Sequence, residues 1–151
     1  MTSVKNRVAV LHGVNFDVLE RRDATIYGGF SLSELERRIS DAAHDLGLEP
    51  IFFQTNSEGE FCEYLHRSID LADAVIVNAG AWTHYSRAIA DALELTRLPA
   101  VEVHLSDVGA RDDWRAVSVF DGLVVAKIAG KGPDGYREAL ELLVGKLGTG
   151  S

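Results

Sequence analysis

The sequence predicts an α/β domain in three layers, with a parallel sheet covered by helices on both faces. Three observations predict it. Short, nearly all-apolar runs alternate with amphipathic helical patterns along the whole chain. The runs are nearly all apolar, so they read as strands buried on both faces, which parallel sheets require; in VEVHL (101–105), Glu102 and His104 alternate with Val101, Val103 and Leu105. The length, 151 residues, suits one domain spanning residues 1–151 with a sizeable core.

The elements follow in order. RVAVLHG (7–13) reads as a buried first strand. SLSELERRISDAAHDLG (31–47) reads as a helix: Ser31 and Glu34 have capping-box spacing, Leu32, Leu35, Ile39, Ala42 and Ala43 share a face, and Gly47 stops it. EPIFFQ (49–54) is the second strand, and SEGEFCEYLHRSIDLA (57–72) the second helix, with Phe61, Leu65 and Ile69 facing inward. DAVIVNAG (73–80) is the third strand. THYSRAIADALELTR (83–97) is the third helix, with Thr83 as its cap. PAVEVHL (99–105) and GLVVAKIAG (122–130) are the fourth and fifth strands. The last helix runs from about Asp134 to Leu147, with Tyr136, Leu140, Leu143, Val144 and Leu147 on one side, and the tail from about 148 to 151 is expected to fray. Five strands joined by right-handed crossovers give a doubly wound, flavodoxin-like sheet of order 2-1-3-4-5.

Composition excludes several classes. Net charge is −8, which leaves no electrostatic footprint for nucleic acid. No apolar run approaches the roughly 18 residues of a membrane span, and the N-terminus carries no cleavage signal. The single Cys62 forms no internal disulfide, which fits a reducing cytoplasm. Cys62 and His66 lie one helical turn apart, but two ligands do not make a zinc site, so Cys62 reads as structural and no metal is expected.

In a sheet of this kind, sites form beyond the carboxyl ends of the strands. Polar residues sit at three of those ends: His12 and Asn15 after the first strand, Asn78 after the third, and Glu102 and His104 on the fourth. Glu102 and His104 are two apart and share a face. A carboxylate beside an imidazole fixes its tautomer and stabilises its protonated form, as a general acid requires, although the same pair can simply staple a sheet. LERRDATIYGG (19–29) is long for a strand-to-helix connection and carries Arg21, Arg22 and Tyr27 before two glycines; it reads either as a lid or as a solvated loop. Arg111 and Arg115 fall one helical turn apart if the segment between them is helical. They either clamp an anion or a polyol or pair with Asp112 and Asp113. In NAGAWTHYS (78–86), a strand end meets a helix start. His84 and Asp91, seven apart, are expected on one helix face. GKGPDG (130–135) matches a dinucleotide fingerprint but follows the last strand, so no second half can complete it. HGVNFD lacks the Ser/Thr-rich phosphate cradle of a flavin carrier.

Taken together and in this order, LHGVNFDVLERRDATIYGG, QTNSEGEF, VNAGAWTHYS, EVHLSDVGARDDWR and GPDGYREAL resemble the type II 3-dehydroquinate dehydratases, from about Val8 to Leu147. The resemblance implies a flavodoxin-like fold, a small-molecule substrate, no cofactor or metal, and a homo-dodecamer built from trimers. It implies reversible dehydration of 3-dehydroquinate to 3-dehydroshikimate by anti elimination through an enolate, a step shared by aromatic biosynthesis and quinate breakdown. By position, Tyr27 matches the base that takes the C2 proton, and Arg22 the lid arginine that activates it. Asn78 matches the residue holding the water that stabilises the enolate. His104 matches the acid that protonates the departing C1 hydroxyl, oriented by Glu102. Leu105 and Ser106 would bind the substrate carboxylate. His84 and Arg115 would hold the ring hydroxyls, helped by Asp91 from a neighbouring subunit, and Arg111 would add positive charge near the tyrosine. A free phenol titrates near 10, so about one in a thousand is ionised at pH 7, and a phenol base needs roughly 4 kcal/mol of help. One arginine at about 4 Å, at an effective dielectric near 20, supplies about that much before desolvation.

The chain departs from the family's first-loop pattern N-G-P-N-L-N-L-L-G at His12, Val14 and Glu20, and Asp23-Ala24 replaces the lid's usual Glu-Pro. Trp82 and Tyr85 also differ, and Tyr85 either narrows the pocket or lies against a neighbouring subunit. These changes bear on rate, lid dynamics and preference. They keep open a divergent paralogue acting on a related hydroxylated cyclic ketone, and a non-catalytic ligand-binding protein on the same fold.

Overall fold

The computed structural model describes residues 4–148; of the tail expected to fray, residues 149–151 lie outside the described residues. Five parallel strands, β1 (Arg7–His12), β2 (Glu49–Gln54), β3 (Ala74–Asn78), β4 (Ala100–His104) and β5 (Ala126–Ala129), lie in the order β2-β1-β3-β4-β5. This is the flavodoxin-like, doubly wound order that the sequence predicts. Helices α2 (Leu32–Asp45) and α5 (Asp134–Leu147) cover one face, and α3 (Glu58–Leu71) and α4 (Arg87–Thr96) the other. A short α1 (Ala24–Tyr27) precedes them.

The strand period of two divides the apolar residues between two cores. Val8 and Val10 of β1, Ile76 of β3 and Val103 of β4 pack against Leu35, Ile39, Tyr136 and Leu140. Ala9, Leu11, Val75 and Val77 face the other way, onto Phe61, Leu65, Ile89 and Leu93. Because every strand is parallel, all carboxyl ends reach one edge: His12 lies opposite both Gln54 and Asn78, and His104 opposite Ala129. Two of the loops leaving that edge are pressed together. A Cβ at Gly13 would sit 2.3 Å from the Ala79 carbonyl oxygen, so only glycine lets the first loop pass β3 this closely.

Ser31 caps α2 with the full capping box: its hydroxyl accepts from the Glu34 amide, and the Glu34 carboxylate accepts from the Ser31 amide. Three expectations are corrected. Ile69 is 52% exposed, and the inward position belongs to Ser68, whose hydroxyl reaches the Tyr64 carbonyl at 2.8 Å and so satisfies itself within the helix. Thr83 does not cap the third helix. Residues Gly80–His84 form a separate 3-10 turn, and Ser86 caps α4, accepting from the Ile89 amide. The fifth strand is shorter than 122–130. β4 begins at Ala100, its ladder with β5 starts at Val101 opposite Ala126, and residues 120–125 turn, with Gly122 at φ 86°. Among the described residues, no helix is long and apolar enough to cross a membrane.

Candidate active site

The carboxyl edge of β1, β3 and β4 opens into one cleft. Its walls include Asn15, Arg22, Tyr27, Asn78, His84, His104, Leu105, Ser106, Arg111 and Arg115. Nine of the eleven residues to which the resemblance gives a role therefore meet there, and Glu102 stands directly behind His104.

The first wall is the segment after β1. The sequence leaves it open between a lid and a solvated loop, and in the structure most of residues 16–27 are helical. A 3-10 stretch (Phe16–Arg21) buries Phe16 and Leu19, and α1 follows. Asp23 caps α1 by accepting from the Thr25 amide at 2.9 Å, and Gly28 ends it at φ 94°. One helical turn thus sets Tyr27 beside Arg22, whose Nη2 donates to the phenol oxygen at 2.6 Å. Arg111 donates to the same oxygen from across the cleft, Nη1 to Oη at 2.7 Å. Arg111 is thus as direct a partner of the tyrosine as Arg22. Arg21 is exposed and lies outside the cleft. Glu20, where a glycine was missed, has no positive φ; among the described residues only Asn15 and Arg97 do without being glycine. The backbone therefore needs no glycine at position 20.

The second wall is the end of β4. His104 Nε2 lies 2.5 Å from Glu102 Oε2, with both side chains buried. Glu102 Oε1 accepts from the Ser118 hydroxyl at 2.9 Å, and that hydroxyl accepts from the Phe120 amide, which aims its own proton at the carboxylate. Ser118 was invisible in the sequence: it lies sixteen residues past Glu102 in a stretch without pattern. Arg111 Nη1 also reaches the Ser106 hydroxyl at 3.4 Å. The GKGPDG stretch acts as a brace here. The amides of Gly130 and Gly132 donate to the carbonyls of Ser106 and Leu105, which holds the turn that follows β4.

The third wall is the 3-10 turn after β3. His84 Nδ1 donates to the Val117 carbonyl at 2.6 Å, which leaves Nε2 for the cleft. Burial holds the His84 imidazole below its ordinary range, and the neighbouring His104 and Arg115 push the same way. Its ring stacks 6.1 Å from His104 and meets the edge of Trp114 at 5.2 Å. Arg115 lies over Trp114 at 4.1 Å and reaches Asp112 at 3.4 Å. Arg111 and Arg115 do not share a helix, because Arg111 closes one 3-10 turn and Arg115 lies in the next. His84 and Asp91 do not share a helix face either. The backbone breaks at Tyr85, and Asp91 is exposed on α4, away from this cleft. Trp82 packs into the core against Phe61, and Tyr85 is 61% exposed outside the cleft.

The arrangement holds a hydroxyl between two guanidiniums from facing segments, with a carboxylate-backed imidazole in the same cleft, groups of the kind that transfer protons. Comparison with known proteins gives the family. Residues 6–144 match the family model described as dehydroquinase class II. The chain belongs to the class II dehydroquinase family. A 3-dehydroquinate dehydratase of Halothermothrix orenii is 42% identical over 146 residues, covering 97% of this chain and 99% of that protein. One of Syntrophotalea carbinolica is 47% identical over 135 residues, covering 89% and 91%. Among solved structures, the type II dehydroquinase of Butyrivibrio crossotus superposes with a TM-score of 0.89 at 31% identity, covering 93% of this chain and 99% of that one.

Proposed function

We propose that this class II dehydroquinase dehydrates 3-dehydroquinate to 3-dehydroshikimate, with Tyr27 as base and His104 as acid on opposite walls of the cleft. The observation that carries the reading is the Tyr27 hydroxyl, which receives one guanidinium from its own segment and another from the far wall. Both donors bind oxygen more strongly as it gains negative charge, so they stabilise the phenolate. The phenolate takes the C2 proton and leaves an enolate. Asn78 holds the water that stabilises this enolate. Collapse of the enolate breaks the C1–O bond, and the hydroxyl departs as water with a proton from His104. Glu102 occupies Nε2 of His104, so Nδ1 is the nitrogen that delivers that proton. Glu102 orients the imidazole, and Ser118 holds Glu102 in place. Leu105 and Ser106 bind the substrate carboxylate, and His84 and Arg115 hold the ring hydroxyls.

Asp91 contributes only if a neighbouring copy brings it to the cleft, which accords with a homo-dodecamer of trimers; a sizing measurement tests the assembly. The activity test is the absorbance of the conjugated enone after 3-dehydroquinate is added. A rise is expected. No rise from a folded, assembled sample refutes the reading and turns attention to related hydroxylated cyclic ketones.

A further inference from the structure

Behind Asn78 lies a buried chain of polar groups that the proposed chemistry does not use. Asn78 Nδ2 is 3.1 Å from the Tyr136 hydroxyl, and that hydroxyl is 2.8 Å from His12 Nε2. All three side chains are at most 3% exposed, and they come from β3, α5 and β1. A phenol and an imidazole at the heart of an apolar core are costly unless they are satisfied. Here His12 Nδ1 has no hydrogen-bond partner among the described residues, so the arrangement has not removed the cost entirely.

The chain has one allowed polarity. The Gly80 amide points at Asn78 Oδ1 at 3.4 Å. Turning the Asn78 amide over would set its NH2 against that N–H, donor against donor. Oδ1 therefore stays beside Gly80, which lines the cleft, and Nδ2 points inward. The Tyr136 oxygen accepts from Nδ2, and its own proton then has one acceptor within reach, His12 Nε2. His12 must be neutral, with its proton on Nδ1. A protonated Nε2 would reverse the Tyr136 hydroxyl and aim its proton at Nδ2. Full burial pushes the His12 imidazole down to about 3, so it is neutral at any working pH.

We infer that Tyr136 and His12 are positioning residues for Asn78, locking its amide so that Oδ1 stands as an acceptor at the cleft beside Gly80. Without the Tyr136 oxygen only the longer Gly80 contact opposes a flip, and an amide that turned over would present a donor to the cleft and would not hold the water in the same orientation. His12 is also one of the positions where this chain departs from the family's pattern, so its acceptor nitrogen is this chain's own means of fixing the hydroxyl. The rate consequences rest on the proposed dehydration; the geometry of the chain does not.

The test has two arms. In the first, kcat and KM for 3-dehydroquinate are measured for wild type, Tyr136→Phe, Asn78→Ala and the double variant. Tyr136→Phe is expected to lower kcat about tenfold with KM within twofold, and to change nothing further in the Asn78→Ala background. A Tyr136→Phe kcat within twofold of wild type, or an equal loss in both backgrounds, overturns the inference. In the second arm, nitrogen NMR of the His12 imidazole near pH 6 is expected to show the neutral, Nδ1-protonated tautomer, with the Asn78 side-chain amide resonance displaced by Tyr136→Phe. An Nε2-protonated ring, an imidazolium, or an unmoved Asn78 resonance overturns it. If wild type fails to turn over 3-dehydroquinate, the proposed function falls and the NMR arm alone decides the inference.

Discussion

Removing Arg111 probes the base without touching it. Arg111 Nη1 donates to the Tyr27 oxygen at 2.7 Å, one of two guanidinium contacts there. A hydrogen bond to a charged group is worth about 1.5–3 kcal/mol. If the phenolate forms in the rate-determining step, Arg111→Ala forfeits that amount in the transition state, and kcat drops by about 10- to 150-fold at about 1.36 kcal/mol per decade. The Coulomb attraction at this distance is larger, but Arg111 and Tyr27 are only half-buried, so solvent screens it and the hydrogen-bond value governs. Arg22→Ala is expected to fall in the same range, since its contact is equally short. The enone absorbance assay at saturating substrate gives kcat, and thermal melting confirms that the variants are folded. A folded Arg111→Ala enzyme that keeps more than a third of wild-type kcat refutes the view that two guanidiniums activate one phenol.

Tyr27→Phe and His104→Ala should each lose most of kcat while assembly, read by sizing, stays intact; a fully active Tyr27→Phe removes the base from the scheme. Ser118→Ala strips a donor from a buried carboxylate, so a stability loss of about 1–3 kcal/mol is expected in urea denaturation, together with a lower kcat. Ser118→Thr, which keeps the hydroxyl, should recover both, and a Ser118→Ala protein of wild-type stability would contradict the contact. His12 titrates at about 3 in the folded chain against an ordinary 6.5, so the unfolded chain binds the extra proton between those values. Stability from this group is therefore full above pH 6.5 and drains as pH falls towards 3, by on the order of 4–5 kcal/mol in all. His12→Phe should flatten that acid slope of the urea midpoint, and an unchanged slope would place the acid sensitivity elsewhere.

What the sequence revealed depended on how local the determining interaction is. The capping box at Ser31 and Glu34 is a contact between residues three apart, and it was legible. The same reasoning misplaced the start of α4. Thr83 and Ser86 are both capping types three residues apart, and local pattern does not separate them; Thr83 is taken up in the Gly80–His84 turn, whose Trp82 packs against Phe61. Glu102 and His104 could be paired from strand periodicity alone. Ser118 could not, because it reaches Glu102 only through the path of the chain after Arg115. The partnership of His12, Asn78 and Tyr136 joins residues up to 124 positions apart, and no short pattern encodes it. Each of the three was visible singly, as two polar strand ends and an apolar helix position. Their meeting required the register that sets His12 opposite Asn78.

The two partners of the Tyr27 hydroxyl differ in how they are attached to it. Arg22 is five residues away on the same short segment, whereas Arg111 is 84 residues away on the opposite bank. Any displacement of residues 22–27 as a unit would carry Arg22 along with the ring and would break the contact to Arg111. The phenol therefore has one cation built into its own segment and a second supplied by the facing one. If that oxygen is the base proposed above, its full activation depends on the two banks meeting, and half of it does not.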